Sequence, residues 1–202
     1  MRLALLLVIA SLSASLDVHA ENKPPVVLIF GDSLSAGYGL RPNESWPNLL
    51  QARLGDRMKV VNASVSGETS AGGLTRLPAS LREHKPFVVV LELGGNDGMR
   101  GLPLNALEKN LASMIELSRA AGAKVLLVAM KLPPNFGDDY TAHFQALYAD
   151  LAMRFHLPTP PFLFEGLEDH RELFQSDAIH PVAAAQPRLL DNVYPALMTL
   201  TK

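Results

Sequence analysis

Apolar stretches that alternate with helical stretches predict an α/β protein, in which helices cover both faces of a parallel sheet. Three of the apolar stretches, 26–30, 87–91 and 124–130, are continuous and rich in Val and Leu. This composition is typical of parallel strands that are buried on both sides. Two further stretches, 58–62 and the weaker 159–164, bring the expected number of strands to about five.

Helices are expected between these strands at 45–54, 104–121 and 139–155. In the second of them, Leu, Met and Ile recur at helical spacing between charged residues, which is typical of a helix that packs on a sheet. Gly122 is expected to end that helix. A last helix is expected after Pro181, running toward Leu200 and broken or bent at its two prolines.

The composition is that of a single globular domain. The chain has 202 residues, of which 48% are hydrophobic and 19% are charged. Its net charge is −2 and it has no basic run, so nucleic acid is not expected as a partner. Cysteine is absent, which excludes disulfides, thiol catalysis and Cys-ligated metals. Because no zinc-hydrolase motif occurs either, we expect no metal and no cofactor.

The first twenty residues have the pattern of a signal peptide. Arg2 precedes the apolar stretch 3–10, and small residues lead up to Ala20, after which we expect cleavage. The apolar stretch is short for a transmembrane helix, although an uncleaved membrane anchor is the alternative. The mature chain, 21–202, is then expected to be one domain, monomeric and without stable membrane insertion. Its expected location is the bacterial periplasm or the medium.

A serine follows the first apolar stretch directly, in Gly31-Asp32-Ser33-Leu34. The carboxyl end of a strand is where open α/β sheets bind their ligands. Ser33 is therefore a candidate nucleophile. The alternative is that its hydroxyl caps the N-terminus of the next helix.

A carboxylate and an imidazole lie three residues apart in Asp177-Ala178-Ile179-His180. Asp177 at this spacing can accept the Nδ1 proton of His180, which leaves Nε2 free to take the serine proton. The alternative is a surface turn that caps the last helix. The remaining histidines are interpreted as surface or packing residues: His19, His84, His143, His156 and His170.

Two further strand-end loops contain candidate donors for an oxyanion. Gly67 ends the loop after the second strand, and Asn96 lies in the glycine-rich loop after the third. We expect the oxyanion donors to be the N–H groups of Ser33 and Gly67 and the side-chain amide of Asn96. Loss of one such donor typically raises the barrier by ~3–4 kcal/mol. The alternative for Gly67 and Asn96 is turn chemistry, since both residue types suit left-handed backbone.

These segments together resemble the SGNH hydrolases, the GDSL lipase/esterase family. Its blocks occur here in order, as Gly31-Asp32-Ser33-Leu34, Gly67, Gly94-x-Asn96-Asp97 and Asp177-x-x-His180. The resemblance implies a three-layer flavodoxin-like fold with about five strands. It also implies that acyl esters and thioesters are hydrolysed through a Ser-His-Asp triad and an acyl-enzyme.

The resemblance implies a role for each site residue. Ser33 would be the nucleophile, His180 the base and Asp177 the group that orients it, with Gly67 and Asn96 as oxyanion donors. The surrounding segments resemble a bacterial periplasmic subgroup that hydrolyses acyl-CoA thioesters, lysophospholipids and aryl esters.

Three other functions are considered. A carbohydrate or other small-ester deacetylase of the same family is the alternative, but sugars favour aromatic platforms and the chain has one Trp and four Tyr. A non-catalytic binding module of the same fold would not need Ser33, Asp177 and His180 together. An α/β-hydrolase would contain Gly-x-Ser-x-Gly, which is absent.

Apolar side chains on the loops after the third and fourth strands are candidates for an acyl-chain groove. Ordinary packing of these loops against helix ends is the alternative. The candidate residues are Met99, Leu102, Leu132, Pro133, Pro134 and Phe136.

Overall fold

The computed structural model describes residues 23–202 and contains one parallel sheet with the strand order β2-β1-β3-β4. The predicted signal peptide, 1–20, and the cleavage after Ala20 lie outside the described residues. In the part that is described, no helix is long and apolar enough to cross a bilayer. The strands are β1 (Val26–Gly31), β2 (Lys59–Asn62), β3 (Val88–Glu92) and β4 (Lys124–Leu127).

Helices pack on both sides of this sheet, which confirms the predicted α/β class. On one side α3 packs on α5, and on the other α2 packs on α7. The helices are α1 (Ser33–Ala36), α2 (Trp46–Leu54), α3 (Ser70–His84), α4 (Gly95–Met99), α5 (Leu104–Ala120), α6 (Asp138–Arg154) and α7 (Gln186–Leu200).

The segment 159–164, expected as a fifth strand, pairs with the sheet only through an isolated parallel bridge between Ala129 and Phe162. The Ala129 N–H donates to the Pro161 carbonyl at 2.8 Å. Pro160 and Pro161 have no N–H to donate in return, so a longer ladder cannot form. The sheet therefore has four strands and an irregular segment along β4.

Helix α3 is absent from the sequence-based prediction. Its sequence includes Gly72, Gly73 and Pro78, which are all poor helix formers. Tertiary packing overrides this propensity, since Leu77 is fully buried. The hydroxyl of Thr69 also accepts the Gly72 N–H at 3.3 Å and caps the first turn.

The last helix begins at Gln186, after a 3₁₀ turn at Ala183–Ala185, and not directly after Pro181. Pro187 lies in its first turn, where a missing N–H breaks no helical bond. The helix also continues past Pro195. Neither proline therefore breaks α7.

The end of β1 is closely packed against the end of β3. A Cβ added to Gly31 would lie 2.8 Å from the carbonyl oxygen of Glu92 and in closer contact with its carboxyl group. Both neighbours are held inside the fold, since Glu92 is completely buried. Only glycine fits at the position from which the chain turns into α1 and Ser33.

The substitution Gly31→Ala is expected to destabilise the protein by about 1–3 kcal/mol, because the added methyl group overpacks a rigid site. Urea unfolding monitored by circular dichroism measures this. Gly72→Ala is the control, since its Cβ would meet chiefly the carboxyl end of the Glu68 side chain and no backbone atom. Equal midpoints for Gly31→Ala and the wild type would contradict the packing argument.

Candidate active site

Three side chains from two distant parts of the chain form a continuous line of hydrogen bonds. Ser33 is the first residue of α1, while Asp177 and His180 lie on the loop before α7. His180 Nε2 is 2.8 Å from Ser33 Oγ, and His180 Nδ1 is 2.7 Å from Asp177 Oδ2. The three residues that the sequence predicts as a triad are thus brought together, with His180 hydrogen-bonded to both Ser33 and Asp177.

The Asp177 carboxylate is fixed by its own turn. Its Oδ1 atom accepts the N–H groups of Ile179 at 2.9 Å and His180 at 3.0 Å. Ala178 adopts a φ of 61°, which folds the four residues tightly enough for these bonds. Burial acts to raise the pKa of Asp177, but the hydrogen bonds from Ile179 and His180 outweigh it and lower the pKa to about 2.

The ionised carboxylate sets the tautomer of His180. Because the Asp177 carboxylate can only accept a hydrogen bond from His180 Nδ1, that nitrogen carries the proton and Nε2 is an acceptor. The Ser33 hydroxyl then donates to Nε2. This arrangement can remove the serine proton and return it to a departing group.

The loop that contains His180 is held by two residues that sequence reasoning missed. The Arg171 guanidinium donates to the carbonyls of Phe174, Gln175 and Ser176 at 2.7–3.0 Å. The Gln175 N–H donates to the His180 carbonyl at 2.8 Å. These contacts involve side chain and backbone groups with no recognisable motif, so no sequence signal indicated them.

Asp32 caps α1, so this role does not fall to Ser33. Asp32 Oδ1 accepts the Leu34 N–H at 3.0 Å, and its Oδ2 accepts the Asn96 amide at 3.0 Å. The Ser33 hydroxyl contacts His180 instead. The alternative interpretation of Ser33 as an N-cap is therefore wrong, and its hydroxyl remains available for chemistry.

The two other candidate donors are joined through one arginine. The Arg100 guanidinium donates to the Gly67 carbonyl at 3.2 Å and lies 3.5 Å from Asn96 Oδ1. The Asn96 amide is oriented at its other end by Asp32. Its second amide hydrogen and the Gly67 N–H have no acceptor within residues 23–202.

Two carboxyl groups are buried directly behind the Ser33 turn. Glu92 Oε2 accepts the Ser35 hydroxyl at 2.6 Å and the Asp32 N–H at 3.4 Å, and within residues 23–202 Oε1 has no partner. Burial raises the pKa of Glu92 well above its usual range. Burial likewise raises the pKa of Asp32 to about 6. Burial behind the candidate nucleophile therefore favours the protonated form of both carboxyl groups, compared with the same groups in water.

A cavity of about 490 Å³ opens beside Ser33. Met99, Leu132 and Pro133 line it, as the acyl-groove hypothesis expects. Leu102 is 38% exposed and does not line this cavity. Phe136 does not line it either and packs against the core instead. The side chain of Pro134 lies outside what the structure describes.

Further apolar residues that sequence reasoning did not include also line the cavity. Phe162, Phe164 and Phe174 line it together with Leu34 and Ile179. The three phenylalanines lie in irregular backbone, so no periodicity indicated that they belong to the cavity. No group of three His, Asp or Glu side chains in the described chain is arranged to hold a metal ion.

The buried carboxyls predict how stability changes with pH. Because the folded pKa of Asp32, about 6, exceeds its usual 3.8, the folded state binds more protons than the unfolded state in this range. The raised pKa of Glu92 acts in the same direction. The free energy of unfolding should therefore fall as the pH rises from about 4 through 6 and beyond.

Glu92→Gln removes one of these groups, so its free energy of unfolding should fall less steeply over this range. Urea unfolding at a series of pH values measures the slope. Glu116→Gln, at an exposed position on α5, is the control and should keep the wild-type slope. An unchanged slope in Glu92→Gln would contradict the assignment.

Comparison with known proteins agrees with the fold. The chain matches the GDSL-like Lipase/Acylhydrolase family over residues 29–186, which include Ser33, Asp177 and His180. A crystal structure of TesA superimposes with a TM-score of 0.82 at 50% sequence identity, covering 87% of this chain and 99% of that chain.

Curated relatives match over most of their length. Esterase TesA of Pseudomonas aeruginosa is 51% identical over 177 residues, covering 86% of this chain and 88% of that protein. Thioesterase 1/protease 1/lysophospholipase L1 of Escherichia coli K12 is 44% identical over 165 residues, covering 82% and 79% respectively. The resemblance drawn from the sequence is confirmed: the chain belongs to the GDSL-like lipase/acylhydrolase family.

Proposed function

We propose that this protein is a serine hydrolase that cleaves acyl esters and thioesters through an acyl-enzyme on Ser33. The observation that carries the proposal is the line of hydrogen bonds from Ser33 through His180 to Asp177. Ser33, at one end of this line, also lines a largely apolar cavity that can receive an acyl chain.

In the first half-reaction, Ser33 Oγ attacks the acyl carbonyl carbon while its proton passes to His180 Nε2. The tetrahedral oxyanion is stabilised by the N–H groups of Ser33 and Gly67 and by the Asn96 amide. Breakdown of this intermediate breaks the bond to the alcohol or thiol, which takes the proton from His180. The Asp177 carboxylate stabilises the imidazolium that forms between the two proton transfers.

The second half-reaction releases the acid. Water enters where the alcohol or thiol has left and gives a proton to His180 Nε2 as it attacks the acyl carbon. The ester bond to Ser33 then breaks, and Oγ recovers the proton. The same donors serve both oxyanions, and each is worth ~3–4 kcal/mol.

The residues that line the cavity favour binding of a long acyl chain over binding of a short acyl group such as acetyl. Most of the lining is apolar, and three phenylalanines form one wall. An acetyl group would leave most of the 490 Å³ empty, which argues against the carbohydrate or small-ester deacetylase alternative. Acyl-CoA thioesters, lysophospholipids and aryl esters are the proposed substrates, in keeping with the relatives named a thioesterase, lysophospholipase and esterase.

The proposed location is the bacterial periplasm, after cleavage of residues 1–20, and the mature chain is proposed to act as a monomer. The basis for export is the charged and apolar pattern around Arg2 and 3–10. N-terminal sequencing of the exported protein should give Glu21 as the first residue.

Ser33→Ala should lower kcat on p-nitrophenyl butyrate by roughly 10⁵-fold or more, because no other group can form the acyl-enzyme. Circular dichroism should show an intact fold. Ser113→Ala, on the partly exposed side of α5, is the control and should keep wild-type activity. Turnover by Ser33→Ala close to the wild-type rate would overturn the proposal.

Gln145→Trp tests the acyl groove, because Gln145 is exposed on α6 and lines the cavity. The ratio of kcat/KM for decanoyl to acetyl esters should fall about tenfold or more, since each methylene group kept out of the cavity loses ~0.8 kcal/mol. His143→Trp, exposed on the same helix but not lining the cavity, is the control. An unchanged ratio in Gln145→Trp would argue against this groove.

A further inference from the structure

Tyr38 combines a fixed backbone with an exposed ring. Its N–H donates to the Ser33 carbonyl at 3.2 Å, and its carbonyl accepts the Gln175 side-chain amide at 2.8 Å. The backbone of Tyr38 is therefore tied both to the nucleophile helix and to the loop that contains His180. Gly37 and Gly39, with φ of 80° and 73°, make the sharp turns that present the residue there.

The Tyr38 side chain lies against the catalytic imidazole. The centroids of the Tyr38 and His180 rings are 4.5 Å apart, with 41° between the ring planes. The residue is nevertheless 53% exposed, the second-highest exposure among the large apolar and aromatic residues of the described chain. An aromatic ring that stands on a fixed backbone at an active site, with so much of its surface free, is suited to bind a ligand.

The position of Tyr38 separates it from the acyl cavity. Leu34 and Ile179 line that cavity, whereas Tyr38 does not. The leaving alcohol or thiol must lie within reach of the His180 ring, because Nε2 donates the proton to it. Tyr38 packs on the same ring and is therefore next to the departing group, not the acyl chain.

We infer that Tyr38 forms a subsite for the leaving group and favours alcohols and thiols that carry an aromatic ring. This inference rests on the proposed acyl hydrolysis. The exposed face and edge of Tyr38 stack on the aromatic group, which holds the scissile oxygen or sulfur beside His180 Nε2. Residues of the cavity select the acyl part of the substrate, and Tyr38 selects the part that leaves.

The test compares benzyl butyrate with ethyl butyrate, since both have the same acyl group and both need a proton from His180. Tyr38→Ala should lower the benzyl-to-ethyl ratio of kcat/KM by roughly three- to tenfold, the range of an aromatic pair. Tyr38→Phe keeps the aromatic ring and should therefore have the benzyl-to-ethyl ratio of the wild type. Met153→Ala, which removes another exposed apolar side chain on α6, should not change it.

A role confined to positioning His180 makes a different prediction. His180 acts in both half-reactions, but the leaving group is present only in the first. Burst kinetics with p-nitrophenyl butyrate measure the rate constants of acylation and deacylation separately. In Tyr38→Ala, the rate constant of acylation should fall by a larger factor than that of deacylation. Equal losses in both steps, or an unchanged benzyl-to-ethyl ratio in an active Tyr38→Ala enzyme, would overturn the inference. Failure of the proposed hydrolysis itself would appear separately, as a wild type without ester turnover.

Discussion

The hydrogen bond between His180 Nε2 and Ser33 Oγ joins residues 147 positions apart and depends on most of the fold. One partner is set by the end of β1, where Gly31 allows the chain to pass Glu92 and enter α1. The other is set by an irregular loop that Arg171 and Gln175 hold through backbone carbonyls. A change that shifts either segment by about 1 Å would disturb this contact, and a misplacement of that size can lower the rate of an enzyme by roughly a hundredfold.

The same region contains two buried carboxyl groups. Glu92 and Asp32 are buried side by side, and the burial of each raises its pKa. A buried carboxyl group is expensive unless it is neutral or well hydrogen-bonded. Here Asp32 orients Asn96 and caps α1, while Glu92 supports Ser35 and the Asp32 backbone. The cost of burying these two carboxyl groups is thus accompanied by hydrogen bonds that fix the nucleophile turn and orient a candidate oxyanion donor.

Much of the framework could be predicted from sequence because its signals are local. Continuous runs of Val and Leu identify β1 and β3, and the three-residue spacing of Asp177 and His180 predicts their contact. The expected fifth strand forms only one bridge, because its apolar composition favours a strand while Pro160 and Pro161 lack the N–H groups that a longer ladder needs. Helix α3 is not predicted, because its glycines and proline have low helix propensity. Its packing against the core, which the local sequence does not show, stabilises the helix.

Only some of the residues that line the cavity could be predicted, namely those that directly follow a strand. Leu132 and Pro133 follow a strand, so the rule that ligands bind at strand ends identifies them. Phe162 and Phe174 reach the same cavity from an irregular segment, and long-range packing alone brings them there. Tyr38 is exposed and lies in a loop, and the hydrogen bond from the Gln175 side-chain amide to its carbonyl ties it to the loop that contains His180.

The central claim is that Asp177 and His180 activate Ser33, and labelling with a fluorophosphonate tests it most directly. Mass spectrometry should locate the adduct on Ser33 in the wild type. Asp177→Asn should keep the fold but label roughly 10²–10⁴ times more slowly, because the amide no longer holds His180 in the tautomer that accepts the serine proton. Labelling at another residue, or at the same rate in both proteins, would contradict the account.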